Sequence, residues 1–227
     1  PTRASNRFTA LLKLFYLLAD CPAVPAKDVV LPDTASLRAY IESGLPLGNP
    51  SLQDEVERTQ DPELKRVLDW SLTVNADIAE NMAEIPPFAG VRECLAKMHA
   101  VADLVVVSQT PEEALVHEWA LHGIDGFVNV IAGQELGTKA EHLEMARGDR
   151  YPADHVMLIG DALGDLKAAC TVNACFFPIM PGKEEDSWKQ LADEGLDRFL
   201  AGTFDGAYQQ KLIAEFEALL PETPPWV

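Results

Sequence analysis

Val156-Met-Leu-Ile-Gly160-Asp161-Ala-Leu-Gly-Asp165-Leu-Lys-Ala-Ala169 decides how this chain is read. Four apolar residues run into Gly160-Asp161, as a strand buried on both faces should, and a helical segment opens two or three residues later. The carboxylate of Asp161 is therefore expected at a strand's carboxyl end. Asp165 follows in the first helical turn, where i,i+4 spacing brings it back toward Asp161. Two carboxylates that close repel each other unless a cation lies between them, and all-oxygen ligation suits Mg2+ rather than zinc. The pair also has a purely structural use, with Asp161 capping the helix and Asp165 complementing its dipole.

Similar units recur on both sides. Helix 89–99 leads to strand Asp103-Leu-Val-Val-Val-Ser108, and helix 111–122 to strand Phe127-Val-Asn-Val-Ile-Ala132. Helix 138–147 leads to strand 156–160, and helix 163–171 to strand Ala174-Cys-Phe-Phe-Pro-Ile179. Short β-branched runs alternating with helices predict an α/β fold, a Rossmann-like doubly wound parallel sheet with right-handed crossovers. Two helices, 184–201 and 206–219, and the tail Pro221-Glu-Thr-Pro-Pro-Trp226 are expected to pack on this core.

Upstream of Pro86-Pro87, where two prolines end any helix, the pattern is almost wholly helical. Helices are expected over 5–20, from Asp33 or Thr34 to Ser43, over 51–59, and over 61–84. Leu64, Val67, Leu68, Ser71, Leu72, Asn75, Ile78 and Met82 form the inner stripe expected of the last. The expected division is a helical cap region over 1–86, an α/β core over 87–182, and C-terminal helices with a tail over 183–227.

Composition narrows the partners. Lys+Arg number 18 against 36 Asp+Glu, a net charge of −18, which argues against nucleic acid or an anionic membrane as main partner. Cys21, Cys94, Cys170 and Cys175 form no CxxC pair, so buried thiols are expected rather than disulfides. The five histidines have no zinc spacing. No apolar run reaches the length of a membrane span and no signal peptide precedes the first segment, so a cytoplasmic protein is expected.

In an open parallel sheet, ligands bind at the carboxyl ends of the strands. Ser108, with Gln109 and Thr110, closes one strand and can offer a hydroxyl and N–H groups to phosphate near a helix start. Lys139, past the loop after strand 127–132, can neutralise a transferring phosphate. Asp161 and Asp165 complete the set as the expected Mg2+ ligands.

With these residues in place, the chain resembles the haloacid-dehalogenase-like hydrolases, in a bacterial branch, over about residues 87 to 180. Ser108 after Val-Val-Val is similar to that family's second motif, Lys139 to the third, and Gly160-Asp161-x-x-x-Asp165 to the fourth; residues 1–84 are similar in placement to a helical cap. The resemblance implies a Mg2+-dependent phosphatase acting on a small phosphorylated substrate through an aspartyl-phosphate, with Lys139 and Ser108 catalytic. The first motif, an apolar strand ending in Asp-x-Asp, is not found. Leu17-Leu18-Ala19-Asp20 lacks the second acid, and in Val29-Val-Leu-Pro-Asp33-Thr34 a leucine, Leu31, stands where the nucleophile belongs. The family's first strand lies between those ending at Ser108 and Asp161, so the working protein is expected to have that strand upstream of Pro1. The rival expectation is a catalytically inactive phosphate-binding or regulatory relative.

Overall fold

The structure, a computed structural model, describes residues 6–24, 27, 29–81, 85–108, 110–221, 223–224 and 226. Two compact units emerge, Pro1–Ile85 with Pro221–Val227, and Pro86–Leu220. The C-terminal tail, expected on the α/β core, thus groups with the first unit, and Trp226 is 43% exposed.

The first unit contains helices α1 (Arg7–Asp20), α2 (Ala35–Glu42), α3 (Asn49–Thr59) and α4 (Pro62–Asn81). Side-chain oxygens start three of them. Asn6 accepts from the Phe8 amide at 3.0 Å, and Asp33 from that of Ala35 at 2.9 Å. Asp61 accepts the Ser36 hydroxyl at 2.7 Å and the Glu63 and Leu64 amides at 2.8 and 3.2 Å. The Ser36 bond leads in holding the Asp61 carboxyl below its ordinary range. Phe8, Leu12, Leu37, Tyr40, Leu52, Leu64 and Leu68 form the core.

The stripe expected along α4 fails in its second half. Leu64, Leu68 and Ser71 are buried, but Leu72 and Ile78 are 47% and 44% exposed. Asn75 is exposed too, and accepts from Arg7 at 2.7 Å. Helices α2 and α3, of 8 and 11 residues, pack on α4, whose 20 residues outrun them. Met82 and the expected end at Glu84 lie outside the described residues.

The second unit is mixed α/β. Its elements are α5 (Val91–His99), β1 (Val105–Val107), α6 (Glu112–Leu121), β2 (Val130–Ala132), α7 (Lys139–Arg147), β3 (Met157–Gly160), α8 (Leu163–Thr171) and β4 (Cys175–Pro178). Helices α9 (Glu184–Gln190), α10 (Leu196–Leu200) and α11 (Ala207–Ala218) follow. The strand at 127–132 is shortened by a 3-10 turn over Asp125–Phe127. The helix expected over 184–201 is broken by a π turn, Leu191–Gly195.

The single sheet expected from periodicity is, among the described residues, two parallel pairs. In one, β1 pairs with β2, with Val106 opposite Ile131; in the other, β3 pairs with β4, with Leu158 opposite Phe176. Both belong to one core. Leu158, Cys175, Phe176, Phe177, Leu212 and Phe216 are buried in it, and Val107 and Ile159 pack against it. The rings of Phe176 and Phe216 lie 5.7 Å apart, and those of Phe177 and Phe204 6.1 Å.

All four cysteines are free thiols. Cys94 and Cys175 are buried as expected, Cys21 is half-buried, and Cys170 departs from the expectation by being exposed. It lies on the outer side of α8, whose inner side is formed by Ala168 and Ala169. Burial drives the Cys94 and Cys175 thiols up from 9.0 to about 11; Lys97 opposes the rise at Cys94, and Asp205 and Asp154 add to it at Cys175. A thiol whose pKa is raised by folding stabilises fully below its unfolded value. That contribution is lost as pH climbs through the folded value, so the fold is expected to weaken between pH 9 and about 11. The expected loss is about 1–2 kcal/mol per thiol. Urea melts across that window should show the slope, and Cys94→Ala with Cys175→Ala should flatten it; an equal slope in the double variant would contradict the assignment.

Candidate active site

The carboxyl ends of β1, β2 and β3 carry the candidate residues. Strand β1 runs on in hydrogen bonding to Ser108, whose amide donates to the Ala132 carbonyl at 3.0 Å. The Ser108 hydroxyl oxygen accepts the Thr110 amide at 3.1 Å, an ST turn that leaves the hydroxyl proton available to donate. Thr110 accepts the Gln134 amide at 3.0 Å, which ties the loop after β1 to the loop after β2. The Glu112 amide, at the start of α6, donates to the Glu135 carboxylate at 3.1 Å. That helix start, expected to face phosphate with Ser108, is therefore met by a carboxylate of the same unit. Gln109 lies outside the described residues.

The loop after β2 ends in a capping box. Thr138 caps α7, its hydroxyl oxygen accepting the Glu141 amide at 3.3 Å, while the Glu141 carboxylate takes the Thr138 amide at 2.7 Å. The two Thr138 bonds hold the Glu141 carboxyl below its ordinary range. Lys139 is the first residue of α7, where the helix dipole disfavours a cation. Two acids offset this. Glu141 lies in the same turn, and the Lys139 ammonium donates to Oδ1 of Asp165, the one ion pair among the described residues whose acid is almost fully buried.

Both carboxylate oxygens of Asp165 are engaged. Its side chain is 4% exposed, Oδ1 holds Lys139, and Oδ2 accepts the Asp161 and Ala162 amides, each at 3.1 Å. This carboxylate therefore caps α8 and locks the turn after β3. Gly160 gives it room, because a Cβ there would lie 2.5 Å from Oδ2 and 2.6 Å from Cγ of Asp165. Asp161 stands exposed at the end of β3. The i,i+4 spacing does bring Asp165 back to Asp161, but onto its backbone amide.

Hydrogen bonds thus link Ser108 to Thr110, Thr110 to Gln134, and Lys139 to Asp165 and the Asp161 turn. Among the described residues there is no group of three or more His, Cys, Asp and Glu that could hold a metal ion. Chemically, the rim offers a hydroxyl donor, a fixed ammonium and an exposed carboxylate. Sequence reasoning missed Glu135 and Glu141, and it named Gly160 without the room that residue gives Asp165. The Thr138-Lys-Ala-Glu141 string was a legible capping signal. Nothing in sequence marks Glu135 as the acceptor for α6, because it lies 23 residues from Glu112.

Comparison with protein-family models, with curated proteins and with solved structures finds no match to this chain. No helix among the described residues is long and apolar enough to cross a membrane.

Proposed function

We propose that this chain carries the phosphate-handling half of a Mg2+-dependent phosphomonoester hydrolase of the haloacid-dehalogenase-like kind. Its nucleophilic Asp would come from a strand that is not among these residues. The observation that supports the reading most is the Lys139–Asp165 pair. A buried carboxylate that also clamps the Asp161 turn holds an ammonium at the strands' carboxyl ends, in a protein of net charge −18. A fixed positive charge there is what a transferring phosphoryl group needs, and the global field would otherwise repel it.

The roles follow from the chemistry of each side chain at the strand ends. Lys139 keeps donor capacity beyond its bond to Asp165, and neutralises a phosphate oxygen. The Ser108 hydroxyl, already an acceptor for Thr110, donates its proton to a second oxygen. Asp161 would hold Mg2+, with Asp165 fixing the turn beneath it. This fits the donor set, because Mg2+ commonly keeps several waters and takes one or two carboxylates together with phosphate oxygens. When bound, the ion supplies charge neutralisation at the phosphate.

The two strand pairs are read as halves of one Rossmann-like doubly wound sheet, in the order β2-β1, then β3-β4. Helix α6 connects the neighbours β1 and β2, and α8 connects β3 and β4. Helix α7, which leads from β2 to β3, packs on both β1 and α8, as a crossover passing over β1 would.

The deciding assay is turnover of generic phosphomonoesters by the full-length protein with Mg2+, beside Asp161→Asn. The variant is expected to lose about a hundredfold or more in kcat/KM. Equal turnover in both would refute the role of Asp161. The alternative, a phosphate-binding relative without catalysis, is favoured by the lack of an Asp-x-Asp string. It predicts Mg2+-dependent binding of inorganic phosphate in calorimetry with no turnover by the full-length protein.

A further inference from the structure

Beside β2, on the side away from β1, runs an open groove of about 380 Å³. Glu112 and Val116 of α6 form one wall, Asp125 stands ahead of the strand, and residues 128–131 line it in unbroken succession. Successive strand residues point to opposite faces of a sheet, so a cavity lined by four in a row meets the strand side-on, along its backbone. The Ser108 amide on the Ala132 carbonyl shows that Ala132 directs its backbone groups to β1. In a parallel pair alternate residues face the same neighbour, so Ile131 directs its N–H and C=O to the outer side, where the groove lies. Among the described residues no bond is recorded for either group.

The outer edge of β4 is treated differently. The Gln209 side chain takes the Phe176 amide at 2.7 Å, and Pro178 has no amide to offer. Those are devices that keep a strand edge from pairing, and β2 has neither. Its groove also keeps apolar surface, with Val130 49% and Val116 46% exposed. Both ends of the groove are acidic. Glu112 stands at the carboxyl end of β2, where its amide meets the Glu135 carboxylate at 3.1 Å and a Cβ on Gly133 would lie 2.4 Å from that amide nitrogen. Asp125 opens the 3-10 turn that leads into β2 at its amino end. These three acids are exposed, and no lysine or arginine is among the residues lining the groove.

We infer that the outer edge of β2 is a docking edge for an extended, basic and apolar segment of a partner protein, which adds to the sheet as a further strand. Main-chain bonds to Ile131 supply the pairing, and apolar side chains cover Val116 and Val130. Charge selects the occupant. A second copy pairing its own β2 here would bring the acids of both copies together, in a chain of net charge −18, whereas Lys or Arg near each end of the segment meets Asp125 at one end and Glu112 with Glu135 at the other. At about 3.3 Å per residue, residues 128–132 span about 13–17 Å, which sets the two cations about four residues apart. The inference goes beyond the phosphatase reading and rests on no part of it, requiring neither phosphate nor metal.

The test is residue-resolved amide hydrogen exchange of the 227-residue chain, alone and with the end-blocked peptide Lys-Val-Thr-Val-Lys at saturation. The Ile131 amide is expected to exchange about tenfold or more slowly with the peptide, while that of Ala132, already turned to β1, changes little. The peptide Glu-Val-Thr-Val-Glu is expected to give no protection. In calorimetry, Glu112→Gln with Asp125→Asn should weaken binding of the lysine peptide about tenfold. Ile131→Pro, which removes the outward N–H while sparing the bonds to β1, should abolish it. Equal protection by both peptides, or none at Ile131 by either, overturns the docking edge. So does undiminished binding to the Gln/Asn variant, or to Ile131→Pro; if the proline variant does not melt cooperatively, the Gln/Asn variant decides. Protection of Ile131 that grows with protein concentration in the absence of peptide would identify a second copy as the occupant and overturn the basic partner.

Discussion

Asp165→Ala is expected to lower the stability of the second unit by about 3 kcal/mol, at the lower end of what breaking a buried ion pair costs. The carboxylate is 4% exposed and satisfies three donors, namely the Lys139 ammonium and the Asp161 and Ala162 amides. Removing it takes the acceptor from both amides and the counter-charge from Lys139. The lower end applies because the Lys139 side chain is 28% exposed and can turn its charge to water, whereas the buried Ala162 cannot turn its amide. The midpoint of thermal unfolding should fall by about 10 °C for a unit of this size. Asp165→Asn keeps an acceptor for the two amides but loses the charge, so about half the effect is expected. Asp193→Ala is the control, because Asp193 pairs with Lys189 on an exposed helix face. It should change stability by less than about 0.5 kcal/mol. A denaturant melt followed through Trp119 and Trp188, which border this core, reports the right unit. If Asp165→Ala melts like the control, the clamp is not what holds the turn.

Gly160→Ala is the second large effect, expected at about 2–4 kcal/mol. The added Cβ would lie 2.5 Å from Oδ2 and 2.6 Å from both Cβ and Cγ of Asp165. A flexible side chain could move aside cheaply, but this one is held by three bonds. Either the clamp opens or the strand end shifts. The two substitutions should therefore be non-additive, the double variant costing less than the sum by about 1 kcal/mol, because alanine at 165 removes the Oδ2 and Cγ contacts. Strict additivity in denaturant melts would mean that Gly160 matters for another reason. Gly164, where a Cβ would meet nothing within 4 Å, serves as the tolerant neighbour.

These two residues also mark where reading the sequence succeeds and where it stops. The run Val156–Gly160 and the helix from Leu163 were legible because an apolar strand followed by a turn and a helical stripe has a local signature. The return of Asp165 to Asp161 was legible for the same reason, being fixed by the pitch of one helical turn. That Asp165 would spend itself on Lys139 was not, since 26 residues and a strand separate them. The outward turn of Cys170, and of Leu72 and Ile78 on α4, shows a related limit. Periodicity says which residues can share a face, and only the lengths of neighbouring elements say whether that face is covered.

The chain's own order of residues determined the alternation of short β-branched runs with helices, the helical character of the stretch before Pro86, and the set Ser108, Lys139, Asp161 and Asp165 at or just past strand ends. Each depends on neighbours within a turn or two, where covalent geometry does the arranging. Tertiary structure alone decided that, among the described residues, the strands form two parallel pairs, that a carboxylate meets the start of α6, and that the Asp165 carboxyl clamps Lys139 and the Asp161 turn together. Those outcomes turn on which backbone edges and which charges meet after the chain has crossed over itself, and burial makes each meeting strong by excluding the water that would otherwise compete for the same groups.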